Sequence, residues 1–310
     1  MTTATAANRS TGKARPLGLF AMGGAILCFS LGSTVVKKAG IPGPTMAFWR
    51  MLFTTSVWWL ILWISERRFI TWTEVRRAAF PGVVFGLNIT LFFSGVTRTT
   101  VANAEFIGAL TPLIVVPAGA ILYKEHINPR ALLFGLVSLV GLMLVLFNVP
   151  SNGVASWAGN LLVAGACILW ATYLLTSRPL RTSMSVVAIM ASIMPTASLA
   201  ILPIAIARDE LTSVTRDSVP YIIGLGLMTG VVAHGLIVFA QRSVPVGTIG
   251  LLQVAQPALA VVWAYMILDQ SLEPIQIVGM ALVIVGLVAV VTLTHRSAPS
   301  LELGSPCDSD

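Results

Sequence analysis

The 310-residue sequence predicts an all-α integral membrane protein, with ten transmembrane helices arranged as two inverted five-helix repeats. Three observations carry that prediction. Charged residues make up only 10% of the chain against 56% hydrophobic, whereas a soluble domain averages about 25% charged; the mean hydropathy is +0.89. The apolar residues fall into ten runs of membrane-spanning length, because a hydrocarbon core about 30 Å thick takes roughly 20 residues at about 1.5 Å each. The chain also matches itself at an offset of 145 residues.

The spans run, in order, 17–36, 44–64, 78–97, 100–123, 129–148, 157–177, 183–206, 219–240, 246–268 and 273–293. Residues 1–16 precede them as a basic, Thr/Ala-rich tail. This stretch superficially resembles a signal peptide, but the apolar run from Leu17 to Val36 is longer than a signal-peptide core and many more runs follow it. It therefore reads as a retained first helix. Most connections are short, so consecutive helices are antiparallel neighbours; the longest breaks are 65–78 and 206–220. The first repeat covers 17–148 and the second 157–294, and the polar tail 295–310 is expected to be disordered.

Lysine and arginine placement sets the orientation. With the N-terminus in the cytoplasm, thirteen cations lie inside: Arg9, Lys13, Arg15, Arg67, Arg68, Arg76, Arg77, Lys124, Arg130, Arg178, Arg181, Arg242 and Arg296. Five lie outside, namely Lys37, Lys38, Arg98, Arg208 and Arg216, and only Arg50 falls within a span. The Lys37/Lys38 pair sits on the disfavoured side. An even number of spans returns the C-terminus to the cytoplasm, which gives a multi-pass inner-membrane protein. Trp63, Trp72 and Trp157 fall at expected interfaces, where amphipathic rings concentrate.

The internal match is ungapped. Pro112 aligns with Pro257, Val116 with Val261, Pro129 with Pro274, Gly141 with Gly286, Leu142 with Leu287 and Val145 with Val290. Five is odd, so the second repeat enters the membrane upside down relative to the first. Inverted repeats of this kind characterise secondary transporters, whose halves exchange roles to open on alternate sides.

The chain resembles the EamA-type ten-helix permeases of the drug/metabolite transporter superfamily over nearly all of residues 17–294. Ala47-Phe48-Trp49-Arg50, Asn88 with Phe92, and Pro112 followed by Glu125 carry the likeness in the first copy. Trp170-Ala171-Thr172-Tyr173, Pro257 and the Gly279/Gly286 pair carry it in the second. Departures are Gln270, preceded by Asp269, where a glutamate is common, Phe134 where a glycine is common, and Ser30 where a tryptophan is common. The resemblance implies a permease and leaves the cargo open among amino acids, other metabolites and drugs, with export favoured by the family's variety.

Candidate site residues are the polar and aromatic groups within spans. Pro112 and Pro257 break their helices and free the carbonyls of Gly108 and Gln253, either to line a central cavity or simply to kink the helix for packing. Glu105 and Arg50 are the ionisable pair; a buried charge costs about 2.5–3.5 kcal/mol on insertion scales. Three readings stand: a proton-sensitive Glu105 held near Arg50 at the external side of the cavity, a static ion pair locking helix 2 to helix 4, or snorkelling to the interface. Asn88, Asn103, Gln253, Gln256 and His234 either contact cargo or join helices, with Gln256, beside Pro257, best placed to line a site. Trp170, Tyr173 and Tyr265 either stack against an aromatic or cationic cargo or pack in the bundle. Glu125, beside Lys124, is either a helix-end or gate contact or a solvated end charge.

Other functions fit less well. The net charge of +7 is spread between apolar runs and does not form a patch with interleaved aromatics, so no nucleic-acid partner is expected. Cys28, Cys167 and Cys307 are scattered, without metal or disulfide spacing. There are no paired carboxylates, no glycine-rich phosphate loop and no long connection, which disfavours a membrane-embedded transferase; no cofactor is expected. An organic-phosphate or nucleotide-sugar exchanger would need several cavity cations where the spans offer Arg50. The expected partners are a small-molecule solute, the lipid bilayer and protons.

Overall fold

A computed structural model describes residues 4–123, 129–147, 155–177, 179–180, 183–240, 253 and 255–297. In chain order the helices are α1 (Ala4–Ser30), α2 (Gly32–Ala39), α3 (Gly43–Glu66), α4 (Trp72–Val96), α5 (Val101–Gly108), α6 (Thr111–Tyr123) and α7 (Pro129–Phe147). They continue with α8 (Trp157–Ser177), α9 (Val186–Ala207), α10 (Val219–Leu225), a π-helical segment (Gly226–Ala233), α11 (His234–Ala240), α12 (Ala255–Leu268) and α13 (Pro274–Ser297). No strand occurs among the described residues.

Among the described residues six stretches are long and apolar enough to cross a membrane: Leu17–Ala39, Gly43–Glu66, Trp72–Val96, Trp157–Ser177, Val186–Ala207 and Arg216–Ala240. Shorter apolar helices cover Val101–Val115, Leu133–Val145, Ala255–Leu268 and Pro274–Ala289. Large apolar side chains such as Phe20, Ile121, Leu161 and Leu199 are more than two-thirds exposed on the outside of the bundle, as a lipid-facing surface requires. Trp63, Trp72 and Trp157 are exposed near helix ends.

Several boundaries differ from the sequence reading. Helix α1 extends back to Ala4, so helix replaces much of the expected tail. Helix α4 begins at Trp72 and not at 78, because a capping box starts it: Glu74 N–H donates to Thr71 Oγ1 at 3.3 Å, and the Glu74 carboxylate accepts from Thr71 N–H at 2.9 Å. Arg68 forks onto both Glu74 oxygens at 2.9 Å; these bonds, ahead of that to Glu66, hold its guanidinium above the ordinary arginine range. The expected C-terminal tail begins inside α13, and residues 298–310 lie outside the described residues, as does Glu125.

Among the described residues three of the expected helices are also interrupted. The first breaks at Leu31 between α1 and α2, and the fourth at 109–110 between α5 and α6. Pro112 follows the second break, and the carbonyl it frees at Gly108 accepts from the Thr111 hydroxyl at 2.7 Å, with Cys167 Sγ at 3.8 Å. That acceptor is thus already occupied. Within the eighth, the π segment inserts an extra residue per turn; Gly226 and Gly230 let it press against Phe53 and Thr54 of α3, where a Cβ would overlap the side chains.

The relation between the two halves is visible in the packing. Helices α7 and α13, the fifth of each half, press backbone to backbone through glycine: Gly141 meets Gly279, and Gly286 meets the Phe134 carbonyl. At the 145-residue offset, Gly141 corresponds to Gly286 and Phe134 to Gly279, so each contact is the counterpart of the other. Ser138 Oγ donates to the carbonyl of its own counterpart, Val283, at 3.4 Å. Partner numbers fall as α7 numbers rise, so the two helices run antiparallel. Helices α3 and α9 do the same, since Thr45 meets Glu210, Thr55 meets Ser198 and Trp59 meets Ala191. Helices α4 and α9 run parallel, with Gly82 against Ile193 and Thr196 and Gly86 against Ala197.

Candidate functional site

Among the described residues, two of the buried polar clusters make contact with α2. The first joins three helices through Glu105 of α5. Its carboxylate accepts from Ser33 of α2 and, at 3.0 Å, from Gln256 Nε2 of α12. Glu105 is 4% exposed and Ser33 1%. Gln256 therefore faces the carboxylate across the interface between the halves, and its neighbour Pro257 is buried in the first turn of α12. Gln253 is helical, but residue 254 and residues 241–252 lie outside the described residues, and with them most of the segment before Pro257.

The second cluster centres on Arg50 of α3, which is 1% exposed. Arg50 Nη2 donates to Thr229 Oγ1 at 2.8 Å, and the guanidinium lies 5.6 Å from the Phe93 ring centroid. Its Nε and Nη1 have no hydrogen-bond partner among the described residues. The carbonyl of the same Thr229 accepts from His234 Nδ1 at 2.5 Å, while His234 Nε2 has no partner among the described residues. A carbonyl only accepts, so Nδ1 carries the proton and, in neutral imidazole, Nε2 presents a lone pair. Thr229 sits in the π segment, whose widened turn presents both its oxygens to polar groups; such segments concentrate at functional sites.

Aromatic rings close this second cluster. Trp170 and Tyr173 stack at 5.1 Å and 28°, and Phe85 and Phe29 approach the His234 ring edge-on at 5.0 and 4.9 Å. Trp170, Tyr173 and His234 line a cleft with Leu174, Ile189 and Val238.

Arg50 and Glu105 do not form an ion pair within 4 Å. Each is engaged elsewhere, and α2 contacts both clusters. A Cβ on Gly32 would come 3.6 Å from Thr229, on the Arg50 side, whereas the next residue, Ser33, reaches Glu105. Successive helical residues point about 100° apart, so one short helix can touch both clusters.

The other candidates separate from these clusters. Asn88 donates to the Ala166 carbonyl at 2.7 Å, tying α4 to α8. Asn103 donates to Thr99 and Asn160 at 3.3 and 3.4 Å and so joins the start of α8. Both are interhelical links, although Asn103 Oδ1 lacks a partner among the described residues. Tyr265 is 64% exposed on the outer surface. Ser30 accepts from Trp263 Nε1 at 3.0 Å, and Gln270 accepts from Val101 N–H at 3.2 Å in the first turn of α5. Sequence reasoning missed Thr229, Ser33, Phe85 and Phe93. Their only signal was small or aromatic residues at buried helix positions, which are common in any bundle.

The comparisons with known proteins agree with this architecture. A family profile described as the EamA-like transporter family matches residues 16–147 and again 157–292. The chain is 26% identical over 261 residues to "Uncharacterized transporter YetK" of Bacillus subtilis (strain 168), covering 81% of this chain and 78% of the relative. It is 21% identical over 226 residues to an "Uncharacterized transporter" of Clostridium kluyveri, covering 70% and 72%. A solved crystal structure superposes with a TM-score of 0.65 at 18% identity, covering 93% of this chain and 99% of that one; at that identity it shows a shared fold.

Proposed function

The chain belongs to the EamA-like transporter family, and from that premise we propose that it is a secondary active exporter of a small metabolite or drug-like solute. It works by alternating access between two inverted five-helix repeats in the inner membrane, with both termini cytoplasmic. The observation that carries this reading is the antiparallel packing of α7 on its counterpart α13. Helix directions support ten alternating spans. Second against seventh and fifth against tenth are antiparallel, and third against seventh is parallel, as strict alternation requires.

In this reading the two clusters lie where the halves meet. Glu105 binds and releases the coupling proton, with Ser33 from the first half and Gln256 from the second as its partners. A carboxylate bonded to both halves senses their relative position, since rocking one half against the other changes its hydrogen bonds. Arg50 and His234 form the solute side of the site.

The experiment compares extracellular solutes from cells expressing the chain with those from cells carrying Glu105→Gln or the empty vector. At least one solute accumulates outside only with the intact chain. Indistinguishable solute pools, with the protein present in the membrane, contradict the proposal.

A further inference from the structure

We propose that the Arg50–Thr229–His234 cluster binds a monoanionic aromatic carboxylate that also carries an N–H or O–H group. The inference rests on the transporter reading above and names its cargo class. The starting point is the set of polar atoms left over. Buried polar groups in native proteins almost always have partners, yet among the described residues Arg50, 1% exposed, leaves two of its three guanidinium nitrogens unpartnered, and His234, 3% exposed, leaves Nε2 so. The buried carboxylate of Glu105 is not their counter-ion, because it is occupied by Ser33 and Gln256.

The chemistry of each vacant atom selects a ligand group. A guanidinium with free N–H donors takes a planar carboxylate through charge-assisted hydrogen bonds. A single positive charge balances a single negative one. A phosphate monoester, at about −1.5 to −2, leaves excess negative charge buried, and an amine cation is repelled. His234 Nε2, with the proton on Nδ1, accepts from a donor on the ligand such as an indole N–H or a phenol O–H. The aromatic surface nearest the His234 end is the stacked Trp170–Tyr173 pair, which lines the same cleft as His234. Arg50 and His234 bond to the same residue, Thr229, which sets them as neighbouring anchors for one small molecule.

The test is equilibrium binding to the full chain in nanodiscs, with radiolabelled indole-3-carboxylate as the probe and no gradient present. Saturable binding is expected, displaced by unlabelled acid and by 4-hydroxybenzoate. Indole-3-carboxamide, which loses the charge-assisted hydrogen bond, and phenyl phosphate, which buries excess negative charge, should compete at least about tenfold more weakly. Arg50→Gln should weaken binding by a similar factor or more, and Arg50→Lys should retain part of it. Equal competition by the carboxamide, undiminished binding by Arg50→Gln, or no saturable binding by the unaltered chain each overturns the proposal. Should Arg50→Gln not fold, the acid-against-amide comparison on the unaltered chain decides alone. Binding is read without solute movement, so its absence removes the cargo class and leaves the transporter reading standing. Binding without movement in proteoliposomes does the reverse.

Discussion

Replacing Thr229 with valine is the sharpest probe of how the bundle tolerates a buried cation. The change keeps the branched shape and deletes the hydroxyl that accepts from Arg50 Nη2 at 2.8 Å. Arg50 then has no hydrogen-bond partner on any of its three nitrogens among the described residues. Two magnitudes compete. Interhelical hydrogen bonds measured in a membrane protein average about 0.6 kcal/mol and reach about 1.7, whereas bonds to charged groups contribute about 1.5–3 kcal/mol. Arg50 is both charged and 1% exposed, so water cannot replace the lost partner and the upper part of the first range applies. The expected loss is about 1.5 kcal/mol, read from unfolding of purified protein in mixed SDS micelles. Thr229→Ser restores the hydroxyl and should recover most of that loss. Combining Thr229→Val with Arg50→Met should cost less than the sum of the two single changes, because the pair is one interaction. Unchanged stability of Thr229→Val, failure of serine to rescue, or simple additivity would refute the coupling of Arg50 to the π segment.

Other predictions follow from the same contacts. Glu105→Gln should abolish the pH dependence of uptake into inverted vesicles while leaving the protein folded; unaltered coupling would remove Glu105 from the mechanism. Asn88→Ala should lower stability by about 0.6–1.7 kcal/mol and leave transport intact, since its amide serves the Ala166 carbonyl; a transport defect at normal stability would make it a cargo contact. Gly86→Leu should cost at least about 1–3 kcal/mol or prevent assembly, because even a Cβ there comes 2.5 Å from the Ala197 carbonyl; wild-type expression and melting would contradict the close approach of α4 and α9. Thr71→Ala should cost about 1 kcal/mol through loss of the capping box that starts α4.

Much of this bundle was legible in the sequence because lipid imposes a simple rule, that apolar runs of sufficient length become helices. Gly141, Gly286 and Pro112 with Pro257 announced the duplication, and the glycines reappear at the α7–α13 contact. The sequence erred where local chemistry overrides hydropathy. Arg76 and Arg77 masked the first turns of α4, although Thr71 and Glu74 already spelled its capping box. The site was less legible. Arg50 and Glu105 stood out as the ionisable residues in spans, but opposite charge at similar depth does not specify contact; Thr229 and Ser33 take the partner roles. Nothing in Gly226–Ala233 signals a π segment by pattern alone, so the shared role of Thr229 emerges only in the fold.

The account depends above all on the inversion of one half relative to the other. The most direct measurement places single cysteines at the corresponding positions Arg67 and Thr212, both exposed, in a chain whose native Cys28, Cys167 and Cys307 are replaced. A membrane-impermeant thiol reagent is then applied to intact cells. Labelling of Thr212→Cys from outside, with Arg67→Cys reached only after permeabilisation, is the predicted result. Labelling of both from the same side would contradict it.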